Sequence, residues 1–230
     1  MLERFSKSYR LNDKEKFVKK LINFSVDQDY FILLNSNNNS DKYDLLCGYG
    51  VKSFIKSSEN SLTKLDNFFE LKKDWLFGYM TYDLRNEIEV LNDNNIDFIN
   101  MPNLYFFQPK IVWLVKGKNV TGLSFEKDLI DNDWKKFNEI FEKEKTENSN
   151  IVKLNIRNSK SEYINKVNKI KERIFRGDCY EMNFCFDLFS EYDKINPYYT
   201  YLKLNDYTKS PMSSFLKVND LFLISSSPER

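Results

Sequence analysis

Apolar positions along the chain switch between a helical and a strand period, and the switches mark the elements. Phe17, Val18, Leu21, Ile22 and Phe24 fall on one side of a helix, opened by Asn12-Asp13-Lys14-Glu15, which fits a capping box. Tyr30-Phe31-Ile32-Leu33-Leu34 is an unbroken apolar run, too short for a surface helix, and predicts a buried strand. A polar loop over 35–41 separates it from strands predicted over 43–50 and 51–55. Ser61 then caps a helix carrying Leu62, Leu65, Phe68, Phe69 and Leu71. Residues 75–84 read as a strand in which Gly78 marks a bulge or a close approach. Strands over 111–115 and 120–125 form a hairpin around a four-residue loop, Lys116-Gly117-Lys118-Asn119. Trp134, Phe137, Ile140 and Phe141 give the apolar face of a helix running to about Lys145.

The last third repeats the alternation more sharply. A polar stretch over 145–150 is the one plausible boundary, dividing the chain into 1–149 and 150–230. A strand over 151–156 leads to Ser159-Lys160-Ser161-Glu162, a capping box, and then to Tyr163, Val167, Ile170 and Ile174 at helical spacing. Gly177 is placed to take the left-handed conformation that ends a helix. From Tyr180 the period becomes two. Tyr180, Met182, Phe184, Phe186 and Leu188 predict the apolar face of a long strand, with Glu181, Asn183, Cys185 and Asp187 on its polar face. Pro197 starts a further helix with Tyr198, Tyr201 and Leu202 on its buried side. A hairpin turns around Asn219-Asp220. No repeat recurs at a fixed period. Strand pairs interleaved with a few helices predict an α+β fold with mainly antiparallel sheets.

Composition narrows the function classes. With 230 residues, 41% of them hydrophobic and 16% aromatic, the chain can build a sizeable core. A net charge of +1 leaves no basic excess for a nucleic-acid surface. No apolar run approaches the ~20 residues of a membrane helix. The first residues lack an apolar signal core, so a cytoplasmic location is expected. The absence of histidine removes imidazole acid–base and ligand chemistry. Acid–base work falls to Asp, Glu, Lys or Tyr. Cys47, Cys179 and Cys185 form no CxxC pair and are expected to be buried, reduced thiols.

Two motifs in the last third carry a resemblance. Ile174-Phe175-Arg176-Gly177-Asp178-Cys179-Tyr180-Glu181-Met182-Asn183 is similar to the Ile-x-x-Gly-Asp-x-Tyr-Gln-x-Asn element of the chorismate-utilising enzymes, departing at Glu181, where Gln is usual. Ser227-Pro228-Glu229-Arg230 matches their Ser-Pro-Glu-Arg element. Leu33-Leu34-Asn35-Ser36 stands where members have Leu-Leu-Glu-Ser, Gly78-Tyr79-Met80-Thr81-Tyr82-Asp83 matches Gly-Tyr-x-x-Tyr-Asp, and Ser210-Pro211 matches a Ser/Ala-Pro segment. Members continue beyond Ser-Pro-Glu-Arg, so the resemblance implies the N-terminal part of a longer enzyme. A sheet cut after Arg230 is expected to leave an unpaired edge that favours aggregation.

The resemblance implies replacement of the C4 hydroxyl of chorismate by ammonia from a glutamine amidotransferase partner. The members that make 4-amino-4-deoxychorismate, for para-aminobenzoate and folate, are the nearest. Those that make anthranilate are the rival, and a non-catalytic amino-acid-binding module is a third reading. Glu229 takes the part of the acid that protonates the departing hydroxyl; read without the resemblance, it is a solvated terminal residue. Asn35, Ser36, Pro211, Met212 and Ser213 match an amino-acid pocket that holds tryptophan in some members; the alternative is an ordinary turn between strands. Asn35, replacing Glu, pairs less strongly with an ammonium. Asn183 and Glu181 either support the cleft or face solvent. Mg²⁺ is implied on the chorismate carboxylate, with ligands in the second half and none in this chain.

Overall fold

The computed structural model describes residues 3–89, 96–140, 152–191 and 195–227. Its elements are β1 (Phe5–Arg10), α1 (Lys14–Phe24), a 3-10 turn (Ser25–Asp27), β2 (Tyr30–Asn35), β3 (Leu45–Tyr49), β4 (Ser53–Ser57) and α2 (Ser61–Lys72). Then come β5 (Phe77–Met80), a 3-10 turn (Tyr82–Glu87), β6 (Leu104–Gln108), β7 (Ile111–Lys116), β8 (Asn119–Ser124) and α3 (Lys127–Glu139). The rest is β9 (Asn155–Ile156), α4 (Lys160–Phe175), β10 (Leu188–Phe189), α5 (Pro197–Thr208), β11 (Met212–Val218) and β12 (Leu221–Ser227). The chain divides into two units, Met1–Lys145 with Pro197–Arg230, and Thr146–Asn196. The units do not follow chain order, because the final hairpin returns to the sheet begun by the first strands.

The first unit is built on a seven-stranded sheet of order β1-β8-β7-β3-β2-β11-β12. Every pairing in it is antiparallel. A second sheet has three strands, β4-β6-β5, also antiparallel. Side chains alternate across β2, and both faces find a cover. Phe31 and Leu33 join Trp113, Phe215 and Tyr201 beneath α1, α3 and α5. Ile32 joins Val112, Leu216 and Val218 against Phe77, Tyr105 and Phe107 of the small sheet. This two-sided burial explains why β2 is an unbroken apolar run rather than an alternating one. Helix α2 packs on β4 and β6. The class is α+β, as the pattern predicts.

One charged group clasps the two sheets. The Arg4 guanidinium donates to both carboxylate oxygens of Asp74, at 2.8 and 2.7 Å, and to the carbonyl of Pro109 at 2.7 Å. It also lies over the Phe125 ring. Gln108 Nε2 donates to the same carboxylate at 2.7 Å. Burial opposes ionisation of Asp74, but the hydrogen bonds from Arg4, Gln108 and the Trp75 backbone outweigh it and hold the carboxyl below its usual range. The pair is bidentate and largely dehydrated, with side chains 7% and 13% exposed.

The structure moves several predicted boundaries. The first helix is capped by Asp13, whose carboxylate accepts the Lys16 N–H, not by Asn12. Asn60, not Ser61, is the cap residue of α2, and Ser61 opens the helix with its N–H and hydroxyl bound to Glu87. The apolar side of α2 is largely uncovered, with Leu62, Phe69 and Leu71 exposed. The β7–β8 hairpin turns on two residues, Gly117 and Lys118, because Gly117 adopts φ +57 and lets Lys116 pair with Asn119. Strand β5 ends at Met80, and residues 82–87 wind into a 3-10 turn. The helix expected to run to about Lys145 ends at Glu139, where Ile140 turns extended, and the linker expected over 145–150 lies outside the described residues.

The largest correction concerns the second unit. The capping box of α4 is present, with Ser159 and Glu162 bonded reciprocally, and Gly177 closes the helix at φ +82. The long strand expected from Tyr180 is absent among the described residues. Only Leu188–Phe189 is strand, paired with Asn155–Ile156. An extended segment becomes a strand only where a neighbour completes its hydrogen-bond ladder. Here just two residues find one, and Tyr180, Met182 and Phe186 are exposed. Tyr163 meets the rings of Phe184 and Phe186, but no residue of α4 is buried. The thiols differ likewise: Cys47 is buried, Cys179 is half-buried and Cys185 is exposed.

Asp74→Ala leaves the Arg4 charge buried without its partner and is expected to cost about 3–5 kcal/mol. Because the folded pKa of Asp74 is depressed, this stabilisation is complete above the unfolded value of about 3.9 and is lost as pH falls through the folded value. Urea unfolding of both proteins from pH 7 downward should show the gap closing below about pH 4. At Gly78 an added Cβ would sit 1.9 Å from the Tyr105 carbonyl oxygen. Gly78→Ala is expected to lower Tm by about 10 °C in a thermal melt.

Candidate functional site

The expected pocket residues come together through one long-range register. Strand β11 pairs with β2 so that Ser213 faces Asn35, and β2 pairs with β3 so that Asn35 also faces Leu45. The chain leaves the sheet just past these pairs, at Ser36 on one side and Pro211 on the other. An open cleft of about 670 Å³ forms there, and its lining includes Asn35, Ser36, Pro211, Met212 and Ser213. Leu34, Leu46 and Tyr43 add apolar wall, and Lys42 and Asp44 add charge.

The individual side chains have different duties. Asn35 is 6% exposed, and its amide is engaged locally. Its Oδ1 accepts the Asn37 backbone N–H at 3.0 Å, and its Nδ2 donates to Asn37 Oδ1 at 3.2 Å. Asn37 in turn donates Nδ2 to Asn205 Oδ1 at 2.9 Å and to the Ser210 carbonyl at 2.6 Å. A smaller cavity of about 80 Å³, lined by Asn35, Asn37, Asn205 and Lys209 among others, lies beside this network. The Ser36 hydroxyl donates to the Asp44 carbonyl at 3.1 Å and closes its own loop. Ser213 donates to the Tyr201 hydroxyl at 3.2 Å. Burial pushes the Tyr201 phenol up to about 12, with hydrogen bonds from Ser213 and Asn35 pulling the other way. Pro211 and Met212 form exposed wall.

Among the described residues lining the cleft, the one acid is already paired. Asp44 is reached by the Gly117 N–H at 2.8 Å and by Lys14 and Lys116 at 3.3 Å each. Burial opposes its ionisation, but those donors together hold its carboxyl below the usual range.

Sequence reasoning missed Asn37, Asn205, Ser210 and Tyr201 as parts of this site. The available signal was the run Asn37-Asn38-Asn39, of which Asn37 and Asn38 adopt φ +49 and +70. Asn tolerates that conformation better than most residues. The other expected residues are placed elsewhere. Glu181 and Asn183 lie in the second unit, exposed, on a segment that is not strand. Glu229 lies outside the described residues, and Ser227, the first residue of its motif, ends β12. Among the described residues, no three Cys, Asp or Glu side chains are grouped so that they could hold a metal ion. Among the same residues, no helix is long and apolar enough to cross a membrane.

The model of a family described as chorismate binding enzyme matches residues 19–230. No curated protein matches the chain significantly. The family match begins within α1, spans the cleft, and takes in both the Gly177-Asp178 and the Ser227-Pro228-Glu229-Arg230 segments, so the chain belongs to the chorismate-binding enzymes.

Proposed function

We propose that this chain is the N-terminal part of aminodeoxychorismate synthase component I. The reaction is chorismate plus ammonia giving 4-amino-4-deoxychorismate plus water. A glutamine amidotransferase subunit supplies the ammonia. The observation that carries the reading is the family match over a chain holding both Ile174-to-Asn183 and Ser227-Pro228-Glu229-Arg230 in that order.

Glu229 is the acid in this proposal. The C4 oxygen leaves as water only if a proton reaches it, and a positioned carboxylic acid contributes ~10²–10⁴-fold. The cleft beside Asn35 and Pro211 takes a free amino acid with an apolar side chain, tryptophan by preference. Leu34, Leu46 and Met212 offer it apolar wall, Lys42 faces its carboxylate, and neutral oxygens of the cleft face its ammonium. Asn35 in place of an acid weakens that last contact, so the expected affinity is modest.

The test uses the enzyme expressed from its complete coding sequence, given chorismate and ammonium. A product with the mass of 4-amino-4-deoxychorismate and no pyruvate is expected. Anthranilate with one pyruvate per turnover would move the enzyme to the rival branch. Glu229→Gln should lower kcat by about 10²–10⁴-fold. Titration calorimetry with tryptophan should detect binding, and absence of heat would remove the amino-acid reading of the cleft.

A further inference from the structure

The end of β1 and the start of α1 enclose a second recess, which shares no lining residue with the cleft. Leu11 extends the strand by one backbone bond, its N–H donating to the Lys118 carbonyl at 2.8 Å, and Asp13 then caps α1. The turn between them leaves Arg10 at the end of the strand, lining the same space as Lys16 and Lys20, which lie one turn apart on α1. Helix α3 packs against α1 and supplies the other wall with Trp134, Phe137 and Asn138. The cavity between them measures about 380 Å³.

Its floor and its rim are chemically unlike. The floor is apolar and already packed. Phe17 and Phe137 are 3% and 1% exposed and meet edge to face, with ring centroids 5.6 Å apart. Trp134 stays half-buried. Tyr9 stacks on its indole at 4.3 Å and is itself anchored by donating its hydroxyl to Asp131 at 2.7 Å. The indole is therefore held in place before any ligand arrives. The rim is basic, with Arg10, Lys16 and Lys20 against one acid, Asp13. The Asp13 carboxylate accepts the Lys16 backbone N–H as the helix cap. Among the described residues, Arg10 and Lys20 form no ion pair.

We propose that this recess is a binding site for a small aromatic carboxylate. The Arg10 guanidinium can grip a carboxylate with two parallel N–H donors, and the Lys20 ammonium adds a second cation. Like charges one helical turn apart repel, and an anion beside Lys16 and Lys20 relieves that repulsion. An inorganic anion would satisfy the cations but leave the indole of Trp134 uncovered, whereas a flat ring covers it. The volume falls in the range of small-molecule pockets. The site stands whether or not the chain takes part in amination.

The experiment is titration calorimetry on the enzyme expressed from its complete coding sequence, with sodium benzoate, acetate and inorganic phosphate as probes. Benzoate should give a saturable heat, and acetate and phosphate should bind at least about tenfold more weakly, because only benzoate buries a ring. Arg10→Glu combined with Lys20→Glu should weaken benzoate at least about tenfold. If that protein fails to fold, Arg10→Gln with Lys20→Gln takes its place. Benzoate should also change the tryptophan fluorescence, and Trp134→Phe should remove most of that change while keeping the heat. Absence of heat with benzoate overturns the proposal, and so does phosphate bound as tightly as benzoate, which would mark a plain anion patch. Equal benzoate affinity in the folded charge variant, or an undiminished fluorescence change in Trp134→Phe, would place the ligand elsewhere on the enzyme and overturn it too.

Discussion

The cleft exists because β11 adds to β2. Six residue pairs, from Ser213 opposite Asn35 to Val218 opposite Tyr30, bring the last part of the chain against one of the first strands. Nothing local enforces this contact, and the loop-closure entropy it consumes is offset by burial on both faces of β2. A slip of one residue would turn Phe215 and Leu216 to the wrong sides and carry Lys217 away from Ser25 and Val26 to the face of Phe77, Tyr105 and Phe107. The observed register instead sends the Lys217 ammonium to the carbonyls of Ser25 and Val26. Register, and with it the position of Ser213 beside Asn35, is therefore set by packing.

The first unit also shows how charge is used where apolar burial cannot finish the job. Arg4 and Asp74 join the two sheets where Pro109 and Leu123 present carbonyls that need donors. Asp44 gathers Lys14, Lys116 and the Gly117 N–H at the foot of the cleft. Tyr49, Trp113 and Asp133 make a third such group in the core, with Tyr49 donating to Asp133 at 2.8 Å and Trp113 donating to Tyr49 at 3.0 Å. Asp74 and Asp44 keep their charge because several donors converge on each. Such groups reward one arrangement of the elements and penalise neighbours of it.

Much of the first unit was legible in the sequence because its elements obey one period each. Phe17, Val18, Leu21 and Ile22 are buried as their spacing requires, and Tyr30 to Leu34 forms the strand that its apolar run demands. Gly78 in an apolar run marks a bulge or a close approach, and it is a close approach: the Tyr105 backbone lies against it. The cleft residues were readable only through the resemblance, since Asn35-Ser36 and Pro211-Met212-Ser213 are unremarkable polar turns taken alone. The supporting network was not readable, because Asn37, Asn205 and Ser210 meet only after β11 has paired. The alternation after Tyr180 misled for a related reason. Period two specifies a face, and a strand also needs a partner, which one chain segment cannot announce.

Ribosomal synthesis gives the central pairing a temporal side. Strands β2, β3 and β7 can assemble while the C-terminal segment is still inside the exit tunnel. During that interval one margin of β2 has donors and acceptors with no mate, and Phe31 and Leu33 are covered incompletely. Such a margin invites intermolecular pairing, and high contact order prolongs the wait. Expression at low temperature should therefore favour the native form over inclusion bodies.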